Sequence, residues 1–241
     1  MRPLCHLGRG VRDVRLVLPA LAIWCLTVSG VSAARDAPAP GSVFASRLKV
    51  ALLLQTLNAE LLSHESATAT LEGWCSAHGL ASPPLVAERV PGEDKAVTEE
   101  QRAQLRVSDK DVVRYRRVRL RCGSRVLSEA DNWYVPGRLT AEMNTLLDTT
   151  DTPFGRVVKS LDFRRHTISV TVLSPFLPPG WETMPPARIE RMGDPCLPAY
   201  LLQHRAILTL PDGTPFSEVV ETYTGNVLAF PAAGLTHRCP Q

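Results

Sequence analysis

The stretch RYRRVRLRCGSRVLSEADNWYVPGRLTAEMNTLLDTTDTPFGRVV (Arg114–Val158) decides the fold. In its first nine residues, apolar Val118, Leu120 and Cys122 alternate with Arg117, Arg119 and Arg121, the period of a half-buried strand. Gly123-Ser124 supplies a two-residue turn, and Val126–Val135 returns as the partner strand. The same period makes Arg116 anomalous. It shares the parity of Val118, Leu120 and Cys122, so in an unbulged strand it faces the buried side. Desolvating an unpaired guanidinium costs far more than its apolar neighbours return. Arg116 therefore needs either a carboxylate of the protein or an anionic ligand.

Beyond the hairpin, Leu139–Leu147 has helical spacing and Thr152-Pro153-Phe154-Gly155 forms a turn. Upstream, Phe44, Leu48, Leu52, Leu54, Leu57 and Leu61 recur mostly at three- and four-residue steps and predict a packed amphipathic helix. A second helix is expected from about Ser66 to Gly79, and a short strand over Leu85–Val90. Thr98-Glu-Glu-Gln101 is a capping-box pattern opening another short helix. Downstream, Ile168, Val170 and Val172 alternate with Thr167, Ser169 and Thr171 as a strand. His166 shares the apolar parity, and a hydrogen-bonded core or rim histidine is its simplest reading. The proline-rich run from Ser174 to Arg191 predicts a surface loop or flap, and His204–Thr224 a second hairpin turning at Asp212-Gly213. Helices at the front followed by antiparallel strands predict an α+β fold, an antiparallel meander with helices packed on one face.

The first 33 residues have the features of an export signal. Arg2, Arg9, Arg12 and Arg15 precede the apolar run Leu16–Val28, and Val31-Ser32-Ala33 offers a small-residue cleavage site. A run of thirteen residues falls short of the about 20 that a membrane helix needs. The expected organisation is a cleaved signal (1–33), a flexible linker (34–42) and one domain (43–241), with the mature chain periplasmic or extracellular and not inserted in a membrane. The chain has 27 Lys+Arg and 24 Asp+Glu, a formal net charge of +3. Residues 1–33 hold four Arg and one Asp, which leaves 23 side chains of each sign in the rest. That balance argues against a nucleic-acid partner.

Four cysteines follow the signal: Cys75, Cys122, Cys196 and Cys239. In an oxidising compartment they predict two disulfides in one of three pairings. Cys75-Ser-Ala-His78 has ligand-like spacing, but no second such pair follows, so no metal site is expected. No Gly-x-Ser-x-Gly elbow and no phosphate-cradling glycine loop occurs.

Five segments in order carry a resemblance: ESATATLE (Glu65–Glu72), YRRVRL (Tyr115–Leu120), NWYVPGRLT (Asn132–Thr140), TPFGR (Thr152–Arg156) and VETY (Val220–Tyr223). Together they resemble the chorismate pyruvate-lyase family and, more loosely, the effector-binding domains of some transcriptional regulators. The resemblance implies the chorismate lyase-like fold and a carbon–oxygen lyase without metal or cofactor. That reaction eliminates an enol-pyruvyl ether from chorismate, leaving 4-hydroxybenzoate and pyruvate. It carries the family's substrate-binding arginine onto Arg116 and its glutamate onto Glu221, which as a protonated acid would donate to the departing ether oxygen. A plain ion pair between Glu221 and Arg116 is the simpler reading of the same residues. Ala67 stands where the family has a ligand-lining methionine and Phe154 where it has leucine, so the pocket is reshaped at two points. Glu218 rivals Glu221 as the acid, and Glu129, Asp131 and Asn132 are further pocket candidates whose default is rim hydrogen bonding. An exported, non-catalytic binding protein for a small aromatic or carboxylate ligand is the alternative function; on either reading the expected partner is a small anionic aromatic ligand and the chain is expected to work as a monomer.

Overall fold

The computed structural model describes residues 42–92, 94–235 and 237–240. The expected signal and all but the last residue of the linker lie outside these. Helix α1 (Val43–Ser63) opens at Ser42, whose Oγ accepts the Ala45 amide at 3.1 Å. Helix α2 (Ala67–Ala77) opens in the same way at Ser66, which accepts the Ala69 amide. Each cap satisfies a donor that the first helical turn leaves without a partner. Strand β1 (Val86–Arg89) precedes α3 (Glu99–Leu105), closed by the expected Thr98–Gln101 capping box. The decisive stretch forms β2 (Arg114–Cys122), β3 (Arg125–Tyr134), α4 (Ala141–Thr149) and the single turn α5 (Phe154–Val157). Strand β4 (Arg164–Val172), helix α6 (Pro186–Glu190) and strands β5 (Tyr200–Thr209) and β6 (Pro215–Thr224) complete the α+β fold.

All six strands are antiparallel, in the order β1-β2-β3-β6-β5-β4. The sheet is thus two three-stranded meanders joined at a β3–β6 seam. Gly123, at φ +55°, turns the first hairpin in a conformation that favours glycine. One face of the sheet presents Val118, Leu120, Ala130, Val219 and Tyr223 to Val50, Leu54, Leu57 and Leu61 of α1 and to Leu71 and Trp74 of α2. Each such leucine stabilises the fold by about 1.5–3 kcal/mol through burial. The helices lie mainly on that face. The short α3 lies across the other, where Gln101 Nε2 donates to Glu218 Oε1 at 3.2 Å.

Two expectations change. The inward stripe of α1 is Val50, Leu54, Leu57 and Leu61, whereas Leu48 and Leu52 are exposed. A helix apolar on two sides has no single face for spacing to select. Ile168, Val170 and Val172 are exposed as well, because β4 is the edge of the sheet. A bulge between Thr167 and Ser169 also inverts the parity of β4, putting Arg165 and Thr167 on the same face as Val170 and Val172. His166 takes the rim reading, its Nε2 3.1 Å from Thr209 Oγ1. The loop after β4 is tied down. Glu190 accepts the Val43 and Phe44 amides at 3.0 and 3.1 Å, and Arg47 donates to the carbonyls of Phe176, Met192 and Gly193.

Two disulfides form, Cys75–Cys122 and Cys196–Cys239. The first joins α2 to β2 inside the core; the second ties the chain's end to the segment before β5. Cys75 is thereby unavailable as a ligand, and His78 stacks 3.9 Å from Trp74. No helix among the described residues is long and apolar enough to cross a membrane.

Candidate functional site

Between the sheet and the α2–α5 pair lies a small, partly open hollow of about 40 Å³. The strand periods decide what faces it: β2 contributes Arg116, Val118 and Leu120, β3 contributes Ala130 and Asn132, and β6 contributes Val219 and Glu221. Ala67 and Phe154 form the opposite wall. Arg116, Glu221, Ala67 and Phe154, the four residues singled out in the sequence, therefore border one cavity.

The Arg116 guanidinium is buried, and its Nη2 donates to the Thr152 carbonyl at 3.3 Å. Its Nε has no hydrogen-bond partner, and no ion pair to Arg116 occurs among the described residues. Burial pulls its pKa below the usual arginine value; Tyr134, Asp151 and Asp148 work against that shift and Arg89 adds to it. Directly across the hairpin, Asn132 accepts from Ser217 Oγ at 2.6 Å through Oδ1. A planar cation with donors to spare beside an amide is chemistry that recognises a carboxylate.

Glu221 does not pair with Arg116. It is held by Arg165, whose Nη2 lies 2.5 Å from Glu221 Oε2, and by Tyr223, whose hydroxyl donates to the same oxygen at 3.1 Å. Both contacts come from donors, so Oε2 serves as an acceptor. Arg165 is nearly fully buried; burial works against its charge, but Glu221, Tyr223 and Glu65 outweigh it and raise its pKa. Its backbone amide donates to Glu65, which borders the cavity mouth. The buried Tyr223 hydroxyl is pushed well up, first by burial and then by Glu221. Across the strand pair from Glu221 sits His204, whose Nε2 is 2.8 Å from Asn58 Oδ1. Burial pulls the His204 pKa down to about 4, with Glu221 opposing and Arg165 assisting.

Arg165 was not among the residues singled out by sequence pattern. Its parity is that of the polar side of β4, and only the bulge turns it inward. The remaining candidates separate by face. Glu218 is buried on the opposite side of the sheet, bonded to Gln101 and, at 2.7 Å, to Arg205. Glu129 pairs with Arg117 and Arg119, and Asp131 with Lys95 and Tyr115, all on that same far face. Asn132 alone of these lines the cavity.

The wall is closed by a tight fit. A Cβ on Gly155 would lie 3.1 Å from both Ser66 Oγ and Thr68 Oγ1, so glycine lets α5 approach the start of α2. Phe154 reaches past it to stack on Phe216, with centroids 6.3 Å apart.

No family model matches the chain. It is 52% identical over 189 residues to the uncharacterized protein y4mC of Sinorhizobium fredii, covering 78% of this chain and 80% of that one. Among solved structures it is similar to PhnF from Mycobacterium smegmatis, at 15% identity and a TM-score of 0.46 over 70% of this chain and 68% of that one. The effector domain of PhnF gives 14% and 0.44, over 67% of this chain and 90% of that one. A GntR-family transcriptional regulator from Bacillus cereus gives 12% and 0.37, over 58% and 92%. These three likenesses concern the course of the chain and assign no residue a role.

Proposed function

We propose, for a chain that belongs to the family of the uncharacterized protein y4mC, a function read from its cavity: it binds a small aromatic carboxylate there, outside the cytoplasm. One observation carries the reading, the buried Arg116 guanidinium with an unpartnered Nε and, among the described residues, no carboxylate paired to it. A carboxylate supplies the missing charge and acceptors, and the apolar walls around Phe154, Val118 and Leu120 suit a ring. Export is supported by the basic and apolar leader and by two disulfides, which persist in oxidising compartments. Thermal unfolding of the chain with benzoate, 4-hydroxybenzoate and chorismate tests the reading. At a hundredfold excess over Kd a ligand adds roughly 2.7 kcal/mol, so a rise in Tm with at least one of them is expected and its loss in Arg116→Met. No rise with any anionic aromatic would refute it.

Chorismate lyase chemistry is the second reading, favoured by Glu221 bordering the same cavity as Arg116. It requires Glu221 to leave Arg165 and donate a proton to the ether oxygen. Absorbance of 4-hydroxybenzoate on incubation with chorismate, abolished in Glu221→Gln, would establish it. Binding without product leaves the first reading standing.

A further inference from the structure

Three buried ionic side chains border the inner hollow: Arg116, Arg165 and Glu221. The Arg165 and Glu221 side chains are 4% and 9% exposed and form an ion pair, neutral as a unit. Arg116 has no carboxylate beside it among the described residues, so the hollow holds one positive charge in excess. The fourth ionic residue of the lining, Glu65, stands outside this count. Its side chain is 46% exposed at the mouth, with Arg164 3.9 Å away, so water and a second guanidinium compensate it.

The pair faces the ligand's far end. Glu221 Oε2 takes both the Arg165 guanidinium and the Tyr223 hydroxyl, and Oε1 has no hydrogen bond among the described residues. Arg116 lies across from Asn132, Asn132 across from Val219, and Glu221 two residues further along β6. Strand spacing and rise put the Cα atoms of Arg116 and Glu221 about 12 Å apart. A benzene ring anchored by its carboxylate at Arg116 therefore turns its far end toward the Arg165–Glu221 pair. A neutral group there leaves the hollow electrically balanced. A second carboxylate would leave one negative charge uncompensated in a hollow of about 40 Å³, beside a carboxylate already present.

We infer that the cavity selects by charge count: it takes aromatic acids with one negative charge and rejects those with two, and Arg165 is the positioning residue that keeps Glu221 in the count. This rests on the reading of Arg116 as a carboxylate anchor and narrows it to a ligand class. Chorismate, a dicarboxylate, belongs to the rejected class while Glu221 is ionised. Only a protonated Glu221 would give the hollow the second positive charge that a dianion needs. Simple binding and lyase chemistry are thus tied to opposite charge states of one residue.

Terephthalate and 4-nitrobenzoate test this, because a carboxylate and a nitro group are both planar, are alike in size and differ in charge. Calorimetry on the full chain is run at about pH 7.5, where both carboxyls of terephthalate are ionised. The Kd for 4-nitrobenzoate should be at least ~100-fold below that for terephthalate. In Glu221→Gln the excess rises to two, and terephthalate should gain at least ~10-fold relative to 4-nitrobenzoate. In Arg165→Gln combined with Glu221→Gln it returns to one, and the parent's preference should return with it. The double variant removes both ions of the pair together, so it and the parent decide the matter if Glu221→Gln alone strands Arg165 and does not fold. Equal affinity of the parent for the two probes would overturn the inference, and so would a double variant that no longer distinguishes them. If benzoate binds and both para-substituted probes are refused, length rather than charge sets the limit, and the inference fails while the carboxylate anchor stands. If benzoate is refused as well, the reading of Arg116 falls and takes the inference with it.

Discussion

Two buried arginines border the cavity, and their removal should have opposite consequences. Arg116 has no carboxylate partner among the described residues, so Arg116→Met relieves a desolvated charge while keeping the length of the side chain. Urea unfolding without ligand should show stability unchanged or raised by about 1–3 kcal/mol, while ligand protection is lost. Arg165→Met strands Glu221 in the interior and should cost about 3–5 kcal/mol in the same assay. Arg116 was legible in the sequence because a cation on an apolar parity breaks the strand period. Arg165 was not, since its parity reads as outward and the bulge that reverses it leaves no composition signal. His204 supplies a pH test. Its folded pKa, about 4, lies below the usual 6.5, so between those values the unfolded chain binds the extra proton. Stability should fall as pH drops through that window and level off below it, by about 3 kcal/mol in all. In His204→Gln that component should vanish when urea midpoints at pH 7 and pH 4.5 are compared.

At the scale of elements, the α2–α5 seam is the tightest contact of the site. Gly155→Val would drive a branched side chain into Ser66 and Thr68. We expect a loss of about 1–3 kcal/mol and a weakened ligand-induced rise in Tm, read by thermal unfolding with and without ligand. A variant that binds as well as the parent would remove this wall from the site. The hairpins, the caps at Thr98 and the order of elements were readable because period and turn chemistry are local. What alternation cannot report is which strand ends up outermost. Strand β4 has the pattern of a half-buried strand, yet it has a neighbour on one side only. The two stripes of α1 defeated spacing for a related reason: the tertiary neighbour, not the helix, selects the buried side.

For the molecule as a whole, the two disulfides close separations of 47 and 43 residues. Loop closure alone assigns about 4 kcal/mol to a loop of that size, so Cys75→Ala with Cys122→Ala should lower unfolding stability by that order in a urea titration. The pairing could not be read from four cysteines, because it depends on which helix the fold lays over which strand. The Cys75–Cys122 bridge joins α2, which brings Ala67 and Thr68 to the cavity, to β2, which brings Arg116. A newly made, still reduced chain holds those two walls together by packing alone. On the proposed reading of an exported, carboxylate-binding chain, oxidation would then act as a maturation step: molecules awaiting translocation would be poor sinks for the metabolites around them, and the cavity would become competent only after export.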